Sequence, residues 1–324
     1  MKQRYGSAAT TAKPATTAKM GGTLPIGLAA GVVFASASGY PVGSLGVAAA
    51  SPFLLTAVRI AVAAAILAAI AVATHARWPK GRLLVHCMVV GILGQCVHFA
   101  GLYAGLAAGV PAAVSALVFG LHPVVTAALT AGLLGERFRW PRVLGLCLGI
   151  AAVVIALAGR LIAAGTLDAG SLLTLIGLLG LAGSAVYQQR FCAGVDLRAA
   201  SAVQLSTAVP PLVVLAVLER GTVTDWSTAA LVVLWLVVVN SIAGTSFILH
   251  SVARAGAART STVFCLVPAA AALMAWPVAG QIPSAGAIAG LVLGFFATLL
   301  GVGYFQRTPQ DPVRDYPSLS STSK

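Results

Sequence analysis

The 324-residue sequence is poor in charge and poorest in acid: 8% of its residues are charged, with seven Asp and Glu against 20 Lys and Arg. A soluble domain carries about 25% charged residues. Here 59% of residues are hydrophobic and the mean hydropathy is +0.97. So thin a polar supply cannot coat so large an apolar fraction, given how surface scales with chain length. A soluble fold is excluded. The seven acids (Glu136, Asp168, Asp196, Glu219, Asp225, Asp311 and Asp315) all fall in loops, tails or the ends of apolar runs. An intramembrane carboxylate for a Na⁺ site or an acidic proton relay therefore has no candidate. Cysteine is scarce too. Cys87, Cys96, Cys147, Cys192 and Cys265 show neither metal-ligand spacing nor an external pair, so no disulfide and no metal are expected, and the five read as small apolar residues. No phosphate-binding glycine loop and no catalytic acid pair occurs. The chain calls for no cofactor, and an enzyme is not expected.

What the sequence does hold is long apolar runs. About 20 such residues span a bilayer as a helix, and ten stretches qualify: 25–46, 53–74, 84–106, 111–134, 143–163, 170–189, 201–218, 228–250, 260–280 and 285–305. The runs are continuous, whereas barrel strands alternate in segments of about ten residues. Basic residues alternate between the intervening segments. Seventeen of the 20 fall on one side: Lys2, Arg4, Lys13 and Lys19; Arg77, Lys80 and Arg82; Arg137, Arg139 and Arg142; Arg190 and Arg198; Arg254 and Arg259; Arg307, Arg314 and Lys324. The opposite loops hold Arg160 and Arg220, and Arg59 lies inside the second run. Positive residues mark the cytoplasmic side, which predicts both termini inside. The net charge of +13 thus sets orientation and implies no nucleic-acid partner. Residues 1–23 and 306–324 read as disordered cytoplasmic tails. A cleaved signal ending at Ala48-Ala49-Ala50 is the weaker reading, because the run before it is long for a signal and is interrupted by Gly and Pro.

The chain also repeats itself at an offset of 145 residues. Val118-Phe119-Gly120-Leu121-His122-Pro123 recurs as Val263-Phe264-Cys265-Leu266-Val267-Pro268, and Gly135, Gly145 and Gly149 meet Gly280, Gly290 and Gly294. Residues 108–156 give 14 identities with their counterparts, where this composition gives roughly 5 by chance. Each repeat holds five spans (24–163 and 164–305), and five is odd, so equivalent helices cross in opposite directions. Inverted repeats are a mark of secondary transporters, with the substrate site near the midplane between the halves.

Gly101-Leu102-Tyr103-Ala104 leading into Ala112 to Leu117, the Leu121-His122-Pro123 step and Leu133-Leu134-Gly135-Glu136-Arg137 before Gly145 and Gly149 resemble the EamA-type family of the drug/metabolite transporter superfamily. The likeness covers most of residues 25–305. It implies a ten-helix fold with a central cavity that exports or exchanges small metabolites such as amino acids, or expels toxic compounds. Two positions depart from the family pattern. The aromatic–glycine pair of the first helix is Phe34-Ala35, and the second-half Glu is Gln281, a change expected to affect only a helix end.

Candidate substrate-binding residues follow from the polar and aromatic groups left inside the spans. Arg59, about 10 Å deep at 1.5 Å per residue from Pro52, could receive a substrate carboxylate, or snorkel outward and bond loop carbonyls. His98 and His122 can titrate near neutral pH; the bland alternative is a His bonded between helices. Phe119 and Phe264 sit one turn before Pro123 and Pro268, the paired helix breaks, as cavity walls or as core. Gln95, three residues from His98 and so on its helix face, joins Tyr187, Gln188, Asn240 and Ser241 as possible lining, as does the polar face Ser36, Ser38 and Tyr40. Interhelical bonding explains any of these equally well. Gly27/Gly31, Gly101/Gly105, Gly145/Gly149 and Gly290/Gly294 are expected to allow close helix packing, and Gly135-Glu136 to end the fourth helix with a capped turn.

The sequence therefore predicts an all-α integral membrane protein of ten transmembrane helices in two inverted five-helix repeats. It would act in the cytoplasmic (inner) membrane as a secondary transporter for a small neutral or zwitterionic metabolite. Its expected partners are that small molecule and the lipid bilayer, and it would work as a monomer or homodimer. A channel or a membrane-embedded enzyme is the alternative.

Overall fold

The computed structural model describes residues 24–134, 140–255, 260 and 263–305; Gly135 and Glu136 lie outside the described residues. The described chain is helical, with an isolated bridge between Ala50 and Val223. Helices α1 (Ile26–Ala49) and α2 (Pro52–Ala73) are followed by α3, built as Arg82–Gly91, a π segment Ile92–Val97, and His98–Ala107. Helix α4 is split into Ala112–Gly120 and His122–Leu134. Next come α5 (Trp140–Ala164), α6 (Ala169–Phe191) and α7 (Leu197–Leu218). Helix α8 runs as Trp226–Trp235, a second π segment Leu236–Ala243, and Gly244–Ala255. A 3₁₀ turn, Phe264–Leu266, opens α9 (Val267–Ala279), and α10 is Ala285–Phe305.

Among the described residues eight helices are long and apolar enough to cross a membrane, three of them counted through their interruptions. Phe264–Ala279 and Ala285–Leu300 are apolar but shorter. The distribution of side chains fits lipid surroundings. Large apolar groups such as Leu231, Leu273, Ile150 and Trp276 face outward, while Ser38, Thr56, Ser115, Thr174, Ser251 and Thr298 are buried. Inside a membrane bundle small and polar residues mediate helix contact, because the surrounding lipid is as apolar as leucine.

The irregular segments recur at the sequence offset. Residues 92–97 correspond to 237–242, inside the second π segment, and Leu121 corresponds to Leu266. The second pair has a clear cause. Pro123 and Pro268 lack an N–H and crowd the carbonyl four residues back. The chain tightens there: Leu121 N bonds Val118 O at 3.2 Å, and Val267 N bonds Phe264 O.

Helix packing follows the same exchange of halves. Helix α2 lies on α7, α4 on α9 and α5 on α10; α3 packs on α6 as α8 packs on α1, and α1 on α9 as α6 on α4. Glycine makes the closest crossings possible. A Cβ on Gly101 would strike the Leu173 carbonyl and the Gly177 backbone (2.8 Å), and one on Gly105 would strike Thr174. Gly290 and Gly294 meet Ala152, Ala156 and Leu117 in the same way. Gly27 has open space around it, so the packing role read from its spacing does not hold there; it lies on the exposed first turn of α1.

At one end of the bundle the turns are tied across the two halves. Ser51 N bonds Thr222 O at 2.9 Å, and Glu219 Oε1 accepts from Phe53 N and Leu54 N, both at 2.9 Å. Gln281 Oε1 accepts from Ala112 N at 2.9 Å. Gln281 therefore does more than alter its own helix end: it caps α4 of the other half. Arg160 donates to Gly109 O (2.7 Å), Ala108 O (3.1 Å) and both Asp168 oxygens. The opposite end is tied between α2 and α7, where Asp196 accepts from Arg77 N at 3.2 Å.

Candidate functional site

Arg59 on α2 is 4% exposed, so its side chain does not reach out of the bundle. Its Nη1 donates to the Tyr103 hydroxyl at 2.7 Å rather than to a loop carbonyl. The guanidinium carbon lies 4.1 Å from the centre of the Phe99 ring and 5.7 Å from that of Tyr103. Tyr103 is held in turn by α1, where a Cβ on Gly43 would fall 2.6 Å from its ring. Nε of Arg59 is buried with no hydrogen-bond partner.

No described carboxylate balances this charge. The four described acids are all engaged at helix ends: Asp168, Asp196 and Asp225 cap α6, α7 and α8, and Glu219 caps α2. An Arg at a membrane-helix centre costs about 2.5–3.5 kcal/mol on insertion scales. One charge-assisted hydrogen bond returns about 1.5–3 kcal/mol, and a cation–π contact about 0.5–2 kcal/mol. Those returns are of the same size as the insertion cost, which already includes desolvating the donors, and Nε still has no partner. The balance leaves the guanidinium short of an acceptor.

An aromatic series continues from it. His98 stacks on Phe99 (4.3 Å between centroids) and meets Phe119 at 4.8 Å, and Phe119 lies 6.3 Å from Tyr40. His98 Nδ1 is 3.2 Å from the Gly94 carbonyl. A carbonyl only accepts, so the neutral ring carries its proton on Nδ1. Phe119 is buried, and α6 makes room for it at Gly177, where a Cβ would fall 3.0 Å from the ring tip. His122 begins the second part of α4 beside Pro123, with its Nε2 buried and unpartnered. Arg59, His98 and Phe119 therefore belong to one cluster, supplied by α1 to α4.

Asn240 lies in the second π segment. Its Nδ2 donates to the Ala35 carbonyl at 2.6 Å, and its Oδ1 is buried without a partner. It packs against Gly39, one turn along α1 from the Gly43 that holds Tyr103. Gln95 occupies the matching place in the first π segment, 145 residues earlier, and is half-buried. The wide i→i+5 turn there replaces the regular helix on which its pairing with His98 rested. Phe264 packs with Ala37, Ala116, Val267 and Ala271, a group that Tyr40 also contacts. Pro268 lies against Gly120, so the two breaks meet where α4 crosses α9. Tyr187 stands apart: its hydroxyl is 2.9 Å from His86 Nδ1 and its ring packs on Phe191. Among the polar first-span residues, Ser38 accepts from Trp235 Nε1 at 3.2 Å.

Phe99 and Tyr103 were not read from the sequence as site residues. Their one signal is the i, i+4 spacing of two aromatics beside His98, which any packed helix also shows. An apolar cleft of about 420 Å³ between α4, α5 and α6 is lined by residues such as Leu121, Val125, Leu146, Val153 and Leu178 and contains none of the polar candidates.

Comparison with known proteins adds a family and a fold. The model of the family described as the EamA-like transporter family matches residues 23–158 and again 168–302. No curated protein matches the chain. A solved structure described only as the crystal structure of a protein is 22% identical, with a TM-score of 0.59, over 86% of this chain and 96% of that one. At that identity the likeness speaks for the fold alone.

Proposed function

The chain belongs to the EamA-like transporter family, and from that premise we propose that it is a secondary transporter working by alternating access. It would export or exchange a small neutral or zwitterionic metabolite, such as an amino acid or an amphipathic compound, across the cytoplasmic membrane. In this reading ten helices span the bilayer as two inverted five-helix halves, with both termini in the cytoplasm.

The observation that carries it is the matched pair of interruptions in α3/α8 and α4/α9. Broken helices at equivalent places in two halves bracket the substrate site of many transporters. Two related halves can also exchange their conformations, which moves the opening from one side to the other. The bonds of Glu219, Gln281 and Ser51 would hold the extracellular end shut, and the substrate would reach the Arg59–His98–Phe119 cluster from the cytoplasm.

Counterflow in proteoliposomes tests this. Preloaded substrate should drive saturable uptake of labelled substrate; unsaturable flux would mean a channel, and a changed product an enzyme. If histidine protonation couples transport, His98→Ala with His122→Ala removes the pH dependence of the rate, and an unchanged pH profile refutes that coupling.

A further inference from the structure

We propose that Arg59 is the receptor for a single carboxylate, and that the rings beside it receive the flat apolar body of the substrate, so that the cargo is an aromatic or similarly planar carboxylate. This rests on the transporter reading and narrows its cargo to molecules that carry one carboxylate, which a wholly neutral metabolite lacks.

Three observations converge on the assignment. The guanidinium is buried, Nη1 has a neutral partner in Tyr103, and Nε has none. Each described acid is already bound at a helix end. A buried cation with an unpartnered Nε and no counter-charge among the described residues lacks one thing, an anionic acceptor, and a carboxylate supplies two oxygens at the spacing of a guanidinium fork. The number of charges limits the ligand. One fixed cation neutralises one negative charge, so a dicarboxylate or a phosphate dianion would be left with a buried surplus. The surroundings limit its body. Phe99, His98, Phe119 and Tyr40 form a continuous series of rings leading away from Arg59, which suits a planar group better than a flexible polar one.

The test is binding, separate from transport. The full chain in lipid nanodiscs is titrated with two acid–amide pairs, phenylacetate against phenylacetamide and phenylalanine against phenylalaninamide, and thermal stabilisation is read, since a ligand of the folded state raises its apparent stability. The expected result is that at least one acid binds at least tenfold more tightly than its amide, and that Arg59→Gln reduces this preference below twofold. Equal binding of acid and amide, no stabilisation by either acid, or an Arg59→Gln protein that keeps the preference overturns the assignment. So does an equal shift with sodium chloride alone, which would mark a site for any anion.

If Arg59→Gln does not accumulate as folded protein, Arg59→Lys carries the test. A point charge should keep the acid preference but weaken affinity about tenfold for want of the fork, and unchanged affinity overturns the proposal. The two readings fail separately. Acid-selective binding without counterflow removes the carrier and leaves the site. Counterflow of an uncharged substrate at full rate in Arg59→Gln removes the site and leaves the carrier.

Discussion

Glu219 offers a direct measure of what ties the two halves together at one end of the bundle. Its Oε1 accepts from the N–H groups of Phe53 and Leu54, both at 2.9 Å, in the first turn of a helix that belongs to the other half. Removing an N-terminal cap of this kind costs about 0.5–2 kcal/mol. If the bonds form only while this end is closed, Glu219→Ala at ~1–2 kcal/mol raises the open population about 5–30-fold. A cysteine at Leu106, buried next to Gly43, reports opening through its rate of reaction with a membrane-impermeant maleimide. The rate should rise by that factor in Glu219→Ala. Charge enters with a definite sign. Burial raises the Glu219 pKa above its ordinary value, against the lowering effect of the two N–H bonds. A higher pKa in the closed state means that protons favour closure, so labelling should slow as pH falls toward the usual glutamate range. By the same sign, Glu219→Gln at neutral pH should label no faster than the native protein, since the amide oxygen still accepts without a desolvated charge. A labelling rate unchanged within twofold in Glu219→Ala, alongside a lower melting temperature, would show that Glu219 stabilises α2 and gates nothing.

The helix crossings give a contrasting pair: Gly101→Ala drives a Cβ into the α6 backbone and should cost about 1–3 kcal/mol. Gly183→Ala, with open space around it, should gain up to ~1 kcal/mol of helix propensity; equal melting temperatures would refute the close contact. Asp196 and Asp225 are held down at about 2, Asp196 chiefly by Arg198 and Asp225 by Ser227 and Thr228. Their contribution is therefore complete above about pH 4 and lost as pH falls toward 2. Tryptophan fluorescence should show melting declining in that window, less so in Asp196→Asn with Asp225→Asn. Gln204, the counterpart of Arg59 on α7, should be dispensable to ligand choice: Gln204→Met should keep the acid preference within twofold in the nanodisc titration.

Much of the fold is written locally and could be read so. Runs of about 20 apolar residues name helices because an unpaired backbone is too costly in lipid, and Pro123 and Pro268 announce their breaks through chemistry confined to a single turn. The site is another matter. Arg59 could be singled out because it is the one charge deep in a run, but its hydrogen-bond partner lies 44 residues away on another helix. Nothing in the spelling of α3 distinguishes Tyr103 from an ordinary packing aromatic. The π segments carry no proline and no marked glycine pattern, so a change of helical register there is invisible until the neighbouring helices are in place. Tyr187 is the opposite case. It looked like lining because it is polar and inside a run, yet the register of α6 pairs it with His86, away from Arg59. Glu219 and Gln281 were legible as residues near helix ends; that each caps a helix of the other half depends on the tertiary pairing of distant turns.

The offset of 145 residues separates what the two halves share from what they do not. Most shared positions are mechanical: Pro123 with Pro268, Gly145 with Gly290, Gly149 with Gly294. They set where helices break and how closely they cross, and a conformational exchange between halves needs them alike. Apart from Phe119, whose counterpart is Phe264, the cluster around Arg59 has no twin. Arg59 corresponds to Gln204, His98 to Ala243, Phe99 to Gly244, Tyr103 to Ile248 and His122 to Val267. A duplicated Arg would place two uncompensated cations in one bundle, with twice the cost of insertion and no added cargo for a single alternating site. In the proposed transporter, symmetry would therefore serve the motion and asymmetry the ligand. On that proposal a ligand bound mainly by one half would stay with that half as the opening changed sides, and its release would fall to the helices that cover it from the other half, α6 against Phe119 and α8 against α1.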